Sequence, residues 1–320
     1  MLCTASQTYT LKNVESSNTL LLVDSPNLQH DISAGVKRRR ALVGMHYNYE
    51  LAVKKARLDN VRAMVLIAGE YKGEREGDDA APRLSEIESA CPGSKEEILE
   101  ELRSEKLRAV EIRGRWRVLA EDYEEEVVRV LVATVEEQGW DASSFPAEEC
   151  VKIMATDYEK TVVEHCLRFY AHPVAEGSVA PQKSAPIGRW ALNVKGIVRF
   201  FGVRLLRKVG KQQQSTFLQA WRAALPEGLP ELPSEELTPA LLSGFCVQES
   251  GQLAYFPHTS LPADPRERFK SLFQCKPKWR GEDMEPFLEG IVTATQTSKR
   301  LLLKYARSVQ TPDGRMYCTR

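Results

Sequence analysis

Near the end of this 320-residue chain, Lys299, Arg300, Lys304 and Arg307 recur at the three- and four-residue steps that gather helical side chains on one side. Projected at about 100° per residue, Arg300, Lys304 and Arg307 fall in a narrow arc. Lys299 flanks that arc, and Leu301, Leu302, Tyr305 and Val309 lie opposite. Arg315 follows the turn signal Thr311-Pro312-Asp313-Gly314, on the arm of an expected hairpin. The chemistry open to this group is electrostatic. Guanidinium and ammonium groups on a helix and a neighbouring hairpin donate hydrogen bonds to phosphate oxygens. A second cationic run, Lys195, Arg199, Arg204, Arg207 and Lys208, surrounds the stripe Ile197, Val198, Phe201, Leu205 and Val209, and is expected to be a secondary phosphate surface. No arginine or asparagine stands out as a reader of base edges, so binding to DNA is expected to be independent of sequence.

Bond-making chemistry has no comparable signature. There is no GxxxxGK[ST] phosphate loop, no HExxH and no GxSxG. The acidic groups Glu96-Glu97 and Glu124-Glu125-Glu126 fall on the polar faces of expected helices, where solvation explains them better than acid–base catalysis. His30, His46, His165, His172 and His258 share no ligand spacing, and the seven cysteines include no CxxC pair. No catalytic residue, metal or cofactor is expected. No apolar run is long enough for a membrane span, and no secretory signal follows Met1, so an intracellular chain without a membrane partner is expected.

Lysine and arginine balance aspartate and glutamate at 44 each, but the charge is segregated. From Glu74 to Glu149 there are 22 acidic and 10 basic residues, whereas Lys183 to Lys211 holds eight basic residues and no acidic one. Such separation suits a chain that meets a polyanion with one surface and a basic protein with another. Glu96, Glu97 and Glu100 are the expected protein-docking residues on the acidic side.

These side chains need elements to position them. Residues 1–45 read as strands, with Ser16-Ser17-Asn18 as an intervening turn and Lys37-Arg38-Arg39-Arg40 as a nuclear-localisation patch or a charged strand edge. Residues 72–82 read as a polar linker. Beyond them come two helices, around Leu84–Cys91 and from Ser94, where Ser94 and Glu97 form a capping box. A hairpin, AVEIRGRWRVL, turns at Arg113-Gly114. Helix, helix, hairpin is the outline of a winged helix. Further helices are expected over 124–137, 147–154, 158–170, 194–209, 216–225 and 234–242, with a strand at 189–192 and a hairpin tipped by Glu249-Ser250-Gly251. Asp264-Pro265 opens another helix, and helices over 282–291 and 298–309 complete the chain.

Several strings carry a family resemblance: CTASQTYTLKNVESSNTLLLV, RGRWRVLAEDY, VEHCLRFY, AALPEGLP, RERFKSLFQCKPKWRGEDMEPFL and LLLKYARSVQTPDGRMY. In order and nearly end to end they resemble the Dcc family, named for defective sister chromatid cohesion. The resemblance implies a subunit of the cohesion-specific alternative replication factor C, joined to a small Ctf partner and the tail of the large Ctf subunit. It implies strands donated to a shared β-barrel, C-terminal winged helices that bind DNA, indirect action on the sliding clamp, and docking on DNA polymerase epsilon. Family members carry a longer stretch before the TYTLKNV-like strand than precedes it here, so the expected barrel is incomplete.

The expected fold is therefore α+β, with N-terminal strands of an incomplete β-barrel followed by three or four tandem winged-helix units. The expected divisions are 1–71 for the partner-binding strands, 72–82 for the linker, then units over 83–120, 121–193, 194–258 and 264–320. A nuclear, non-catalytic replication and cohesion subunit follows from the resemblance. Winged helices alone would equally suit a scaffold of a transcription or ubiquitin-ligase complex.

Overall fold

The computed structural model describes residues 2–23, 41–54, 56, 58–73, 80–174, 188–233, 236–292, 296–312 and 314–320. The basic run 37–40 and most of the proline-rich segment 172–187 lie outside the described residues. Contacts within the chain divide it into two units, residues 1–120 and 121–320.

The first unit opens with β1 (Leu2–Cys3), β2 (Thr8–Val23) and β3 (Ala41–Val53), an antiparallel sheet in that order. The sheet is open; the described strands do not close into a barrel. The turn expected at Ser16-Ser17-Asn18 is not there. β2 runs through these residues, and its register with β3 shifts between Glu15 and Leu20, a bulge that absorbs the polar insertion before pairing resumes at Leu20 with Met45.

The chain then forms α1 (Asp59–Leu66), a helix within the segment that reads as β-rich in the sequence. α2 (Leu84–Ala90), α3 (Lys95–Arg103) and the hairpin β4 (Ala109–Ile112) and β5 (Arg115–Val118) follow. Apolar residues at helical spacing on α1, α2 and α3 meet the hairpin in one core, made of Val61, Val65, Ile87, Ile98, Leu102 and Trp116 among others. Arg113 and Gly114 both take positive φ at the hairpin tip, a conformation that glycine accepts without steric cost. Tyr71, just after α1, bridges in parallel to Leu119 beyond β5.

In the second unit one order of elements occurs three times. The first copy is α4 (Glu121–Glu137), β6 (Phe145–Pro146), α5 (Ala147–Met154), α6 (Lys160–Tyr170), β7 (Ala171–Pro173) and β8 (Arg189–Leu192). The second is α7 (Val194–Val209), β9 (Lys211–Gln213), α8 (Gln214–Ala224), a 3-10 turn at Pro239–Leu242, β10 (Cys246–Glu249) and β11 (Gln252–Tyr255). The third is α9 (Pro265–Cys275), β12 (Lys278–Arg280), α10 (Gly281–Met284) with a 3-10 turn at Glu285–Leu288, α11 (Ser298–Tyr305), β13 (Ala306–Thr311) and β14 (Gly314–Thr319). In every copy the last strand lies between the first and the second, giving sheets β6-β8-β7, β9-β11-β10 and β12-β14-β13. With α1, Tyr71, α2, α3, β4 and β5, the first unit follows the same order.

Two expected helices are shorter than their apolar pattern suggests. The described part of 234–242 holds only the 3-10 turn, and 282–291 gives α10 and a 3-10 turn in which Pro286 lacks the N–H that a longer helix would need. A third correction bears on function. The helix expected over 298–309 ends at Tyr305, and Arg307 and Val309 lie on β13. Pairing of β13 with β14, and of β14 with β12, satisfies the backbone there. The apolar period of 3.6 residues had continued past the helix only by coincidence.

Candidate functional site

Thr297 caps α11, its side chain accepting from the Arg300 N–H, and Leu301 and Leu302 anchor the helix in a core shared with Phe269, Leu272, Trp279 and Phe287. Trp279 Nε1 donates to the Leu272 carbonyl at 3.0 Å, which fixes α9 against β12. Arg268 is buried and donates to the carbonyls of Leu261, Pro262, Phe287 and Glu289. Burial lowers its pKa, and four carbonyl acceptors offset the cost of burying its charge. No sequence signal singled out this arginine; its neighbours in sequence mark it only as a helix-surface cation.

With the core face fixed, α11 presents Lys299, Arg300, Leu303 and Lys304 to solvent. A groove of about 360 Å³ runs beside it, lined by Gln296, Arg300, Leu301 and Lys304. Lys304 Nζ lies 5.1 Å from the Tyr305 ring centre, and the Lys304 carbonyl accepts from Arg320. The hairpin parts the other two expected residues. Arg307 pairs with Cys318 and Gln310 with Arg315 in the ladder, so strand alternation puts Arg307 and Arg315 on opposite faces. Arg315 is still near the hairpin tip, beside the Thr311–Gly314 pair.

The basic run on α7 is placed differently. Arg204 pairs with Asp122 and with Glu125, the latter at 2.5 Å, and Arg207 pairs with Glu121 and donates to the Tyr255 hydroxyl at 2.8 Å. Lys195 meets Glu236 at 2.9 Å. Arg199 donates to the Ser243 carbonyl and stacks over Phe245. The acidic first turn of α4 thus neutralises much of the local positive charge, and Lys208 is left exposed at the helix end. A charge count along the chain could not show this, because Glu121 to Glu125 precede α7 by some 70 residues.

The acidic candidates in the first unit separate in the same way. Ser94 caps α3, and the Glu97 carboxylate accepts from the Ser94 N–H at 3.1 Å, the Ser94 hydroxyl at 2.6 Å and the Thr8 hydroxyl at 2.5 Å. Partial burial opposes its charge, but these hydrogen bonds outweigh burial and hold its pKa below the ordinary carboxylate value. Glu97 therefore serves the fold. Glu96 and Glu100 remain on the exposed side of α3.

β2 and β3 form the other conspicuous surface. From Tyr9 to Glu15 the register pairs Tyr9 with Val53, Leu11 with Leu51, Asn13 with Tyr49 and Glu15 with Tyr47 on one face. The opposite face carries Lys12, Glu50 and Asn48. The first face is apolar yet open: Leu11 is 48%, Leu51 55% and Tyr49 60% exposed. Past the bulge, Leu21, Leu22, Leu42 and Val43 are also exposed. Among the described residues nothing pairs with the outer edge of β3, and β1 covers β2 only at Thr8 and Tyr9. An amphipathic ribbon with free edges is a template for strands from another chain.

Among the described residues no cluster of three or more histidine, cysteine or acidic side chains has metal-binding geometry, and no helix is long and apolar enough to cross a membrane.

The family model described as sister chromatid cohesion protein Dcc1 matches residues 1–288, up to the segment before α11. The chain is 29% identical over 332 aligned positions to sister chromatid cohesion protein DCC1 of Danio rerio, covering all of this chain and 81% of that protein. It is 26% identical over 331 positions to the Homo sapiens protein of that name, again covering all of this chain and 81% of the relative. To the Saccharomyces cerevisiae protein it is 23% identical over 338 positions, covering 96% of this chain and 84% of the relative. These relatives are named as cohesion proteins, not as enzymes.

Proposed function

The chain belongs to the Dcc1 sister chromatid cohesion family, and from that membership we propose that it is a non-catalytic subunit of the cohesion-specific replication factor C clamp loader. It acts in the nucleus, in DNA replication and the cell cycle. Large and small Ctf-type subunits bind its β2–β3 ribbon and complete a barrel, through which the chain reaches the sliding clamp indirectly. The single observation that carries this reading is the apolar face of the ribbon, where Leu11, Leu51 and Tyr49 stand in solvent beside strand edges left unpaired among the described residues. A soluble monomer seldom exposes such a surface without a partner.

The four modules are winged helices in this reading, supported by their shared element order and by the common strand order of the three modules in the second unit. The last of them binds DNA without sequence selection through Lys299, Arg300 and Lys304 on α11, joined by Arg315 near the hairpin tip. DNA polymerase epsilon docks on the acidic surface of α3, at Glu96 and Glu100. A transcription or ubiquitin-ligase scaffold could use the same modules, but the family match favours cohesion.

Co-expression with the two Ctf-type subunits tests the reading. The full chain should co-purify with them, and a Leu11→Asp, Leu51→Asp variant should be lost while its helical modules stay folded. Retention of that variant at the wild-type level would contradict the proposal.

A further inference from the structure

The outer face of α11 carries a side chain that neither the core nor a phosphate contact uses. Leu301 and Leu302 are 2% and 6% exposed, whereas Leu303 is 74% exposed, the highest value among the exposed large apolar side chains of the described residues. On the helix it stands at the middle of the solvent side. Lys299 lies one turn before it, and Arg300 and Lys304 flank it. An apolar side chain ringed by three cations fits a polyanion that offers an apolar group between its phosphates. In the major groove of duplex DNA that group is the C5 methyl of thymine.

We infer that Leu303 contacts thymine methyl groups while Lys299, Arg300 and Lys304 hold the neighbouring phosphates. The inference rests on the DNA-binding reading of α11 and goes beyond it, because it adds a graded preference for thymine content to a surface that selects no target site. Leucine has no donor or acceptor with which to register on a base edge, so the preference is a matter of composition and does not define a target site.

The test compares two duplexes of alternating base pairs, one of adenine with thymine and one of adenine with uracil on deoxyribose. They carry the same charge and the same hydrogen-bonding edges and differ only in the C5 methyl. With the full chain at fixed salt, wild type should bind the methylated duplex about fourfold more tightly, the factor expected for burying one methyl-sized group. Leu303→Ala should bind both equally, near the wild-type affinity for the uracil duplex. Its exposure means the fold should not be disturbed. Equal binding of both duplexes by wild type, or a preference that persists in Leu303→Ala, would overturn the inference. A Lys299→Ala, Arg300→Ala, Lys304→Ala variant separates the two levels. It should weaken binding to both duplexes, and if it binds both as wild type does, the underlying DNA-binding surface is wrong as well.

Discussion

The hydroxyl of Thr8, fully buried at the root of β2, donates to the Glu97 carboxylate at 2.5 Å across 89 residues of chain. The same hydroxyl accepts from the Ser94 N–H at 3.1 Å, so the ribbon is fastened at the cap of α3. Nearby, Gly93 leaves room for Ala56 and Leu58, which follow β3; a Cβ at Gly93 would stand about 3.0 Å from the Ala56 methyl. The exposed ribbon therefore has one fixed end, on the helical module of its own unit.

Loss of this link should be measurable and dependent on pH. Glu97→Gln removes a carboxylate that accepts three hydrogen bonds and should destabilise the first unit by about 1–2 kcal/mol at pH 7. The folded-state pKa of Glu97 lies below its ordinary value of 4.5, so its contribution is present above that value and fades as pH falls through the folded pKa. The gap between wild type and Glu97→Gln should thus be full at neutral pH and shrink as pH falls below 4.5 toward and through the lower folded pKa. Hydrogen exchange of α3 in the full chain reads it.

Separating Glu97 from its neighbours sharpens a test of the acidic surface. Reversal at Glu96 and Glu100, with Glu97 intact, should weaken pull-down of DNA polymerase epsilon several-fold, because surface charges steer encounter with a basic partner. DNA affinity should be unchanged or slightly raised. A loss of DNA binding with polymerase binding intact would reverse the assignment.

The two basic segments should respond differently to salt. Withdrawing one cation from a phosphate flattens the plot of log affinity against log salt by about 0.9. Arg300→Ala with Lys304→Ala should therefore reduce the slope by about 2. Arg204→Ala should leave the slope alone and lower stability instead, because its guanidinium is engaged with Asp122 and Glu125. Fluorescence titrations from about 50 to 200 mM salt with a thermal melt of each variant distinguish the two outcomes.

These contrasts mark what was legible in the sequence. Period and capping locate α3 and α9 closely, because Ser94 and Asp264 accept backbone hydrogen bonds where such residues should, and the apolar period alone locates α5 and α7. The hairpin tips at Arg113-Gly114 and Ser250-Gly251 were equally plain, from Gly114 and Gly251, which accept positive φ without steric cost. What could not be read is whatever depends on distant partners. The end of α11 at Tyr305 is set by β14 and β12, and the short strands β9 and β12 exist only through their pairing with β11 and β14. Glu121 and Asp122 look like solvated helix-surface acids until α7 brings Arg204 and Arg207 to them. α1 was not legible because its eight residues follow soon after a long strand, with no side-chain cap to announce it.

Hydrogen exchange of β2 and β3 in the full chain, with and without the two Ctf-type subunits, tests the central claim most directly. The ribbon alone should exchange fast between Thr10 and Val23 and along β3, because its edges and apolar face are open, and more slowly only near Thr8. Addition of both subunits should slow exchange along the whole ribbon by at least tenfold while α5, α6 and α9 in the second unit keep their rates. Strong protection of the ribbon in the isolated chain, or no change when the subunits are added, would contradict the account.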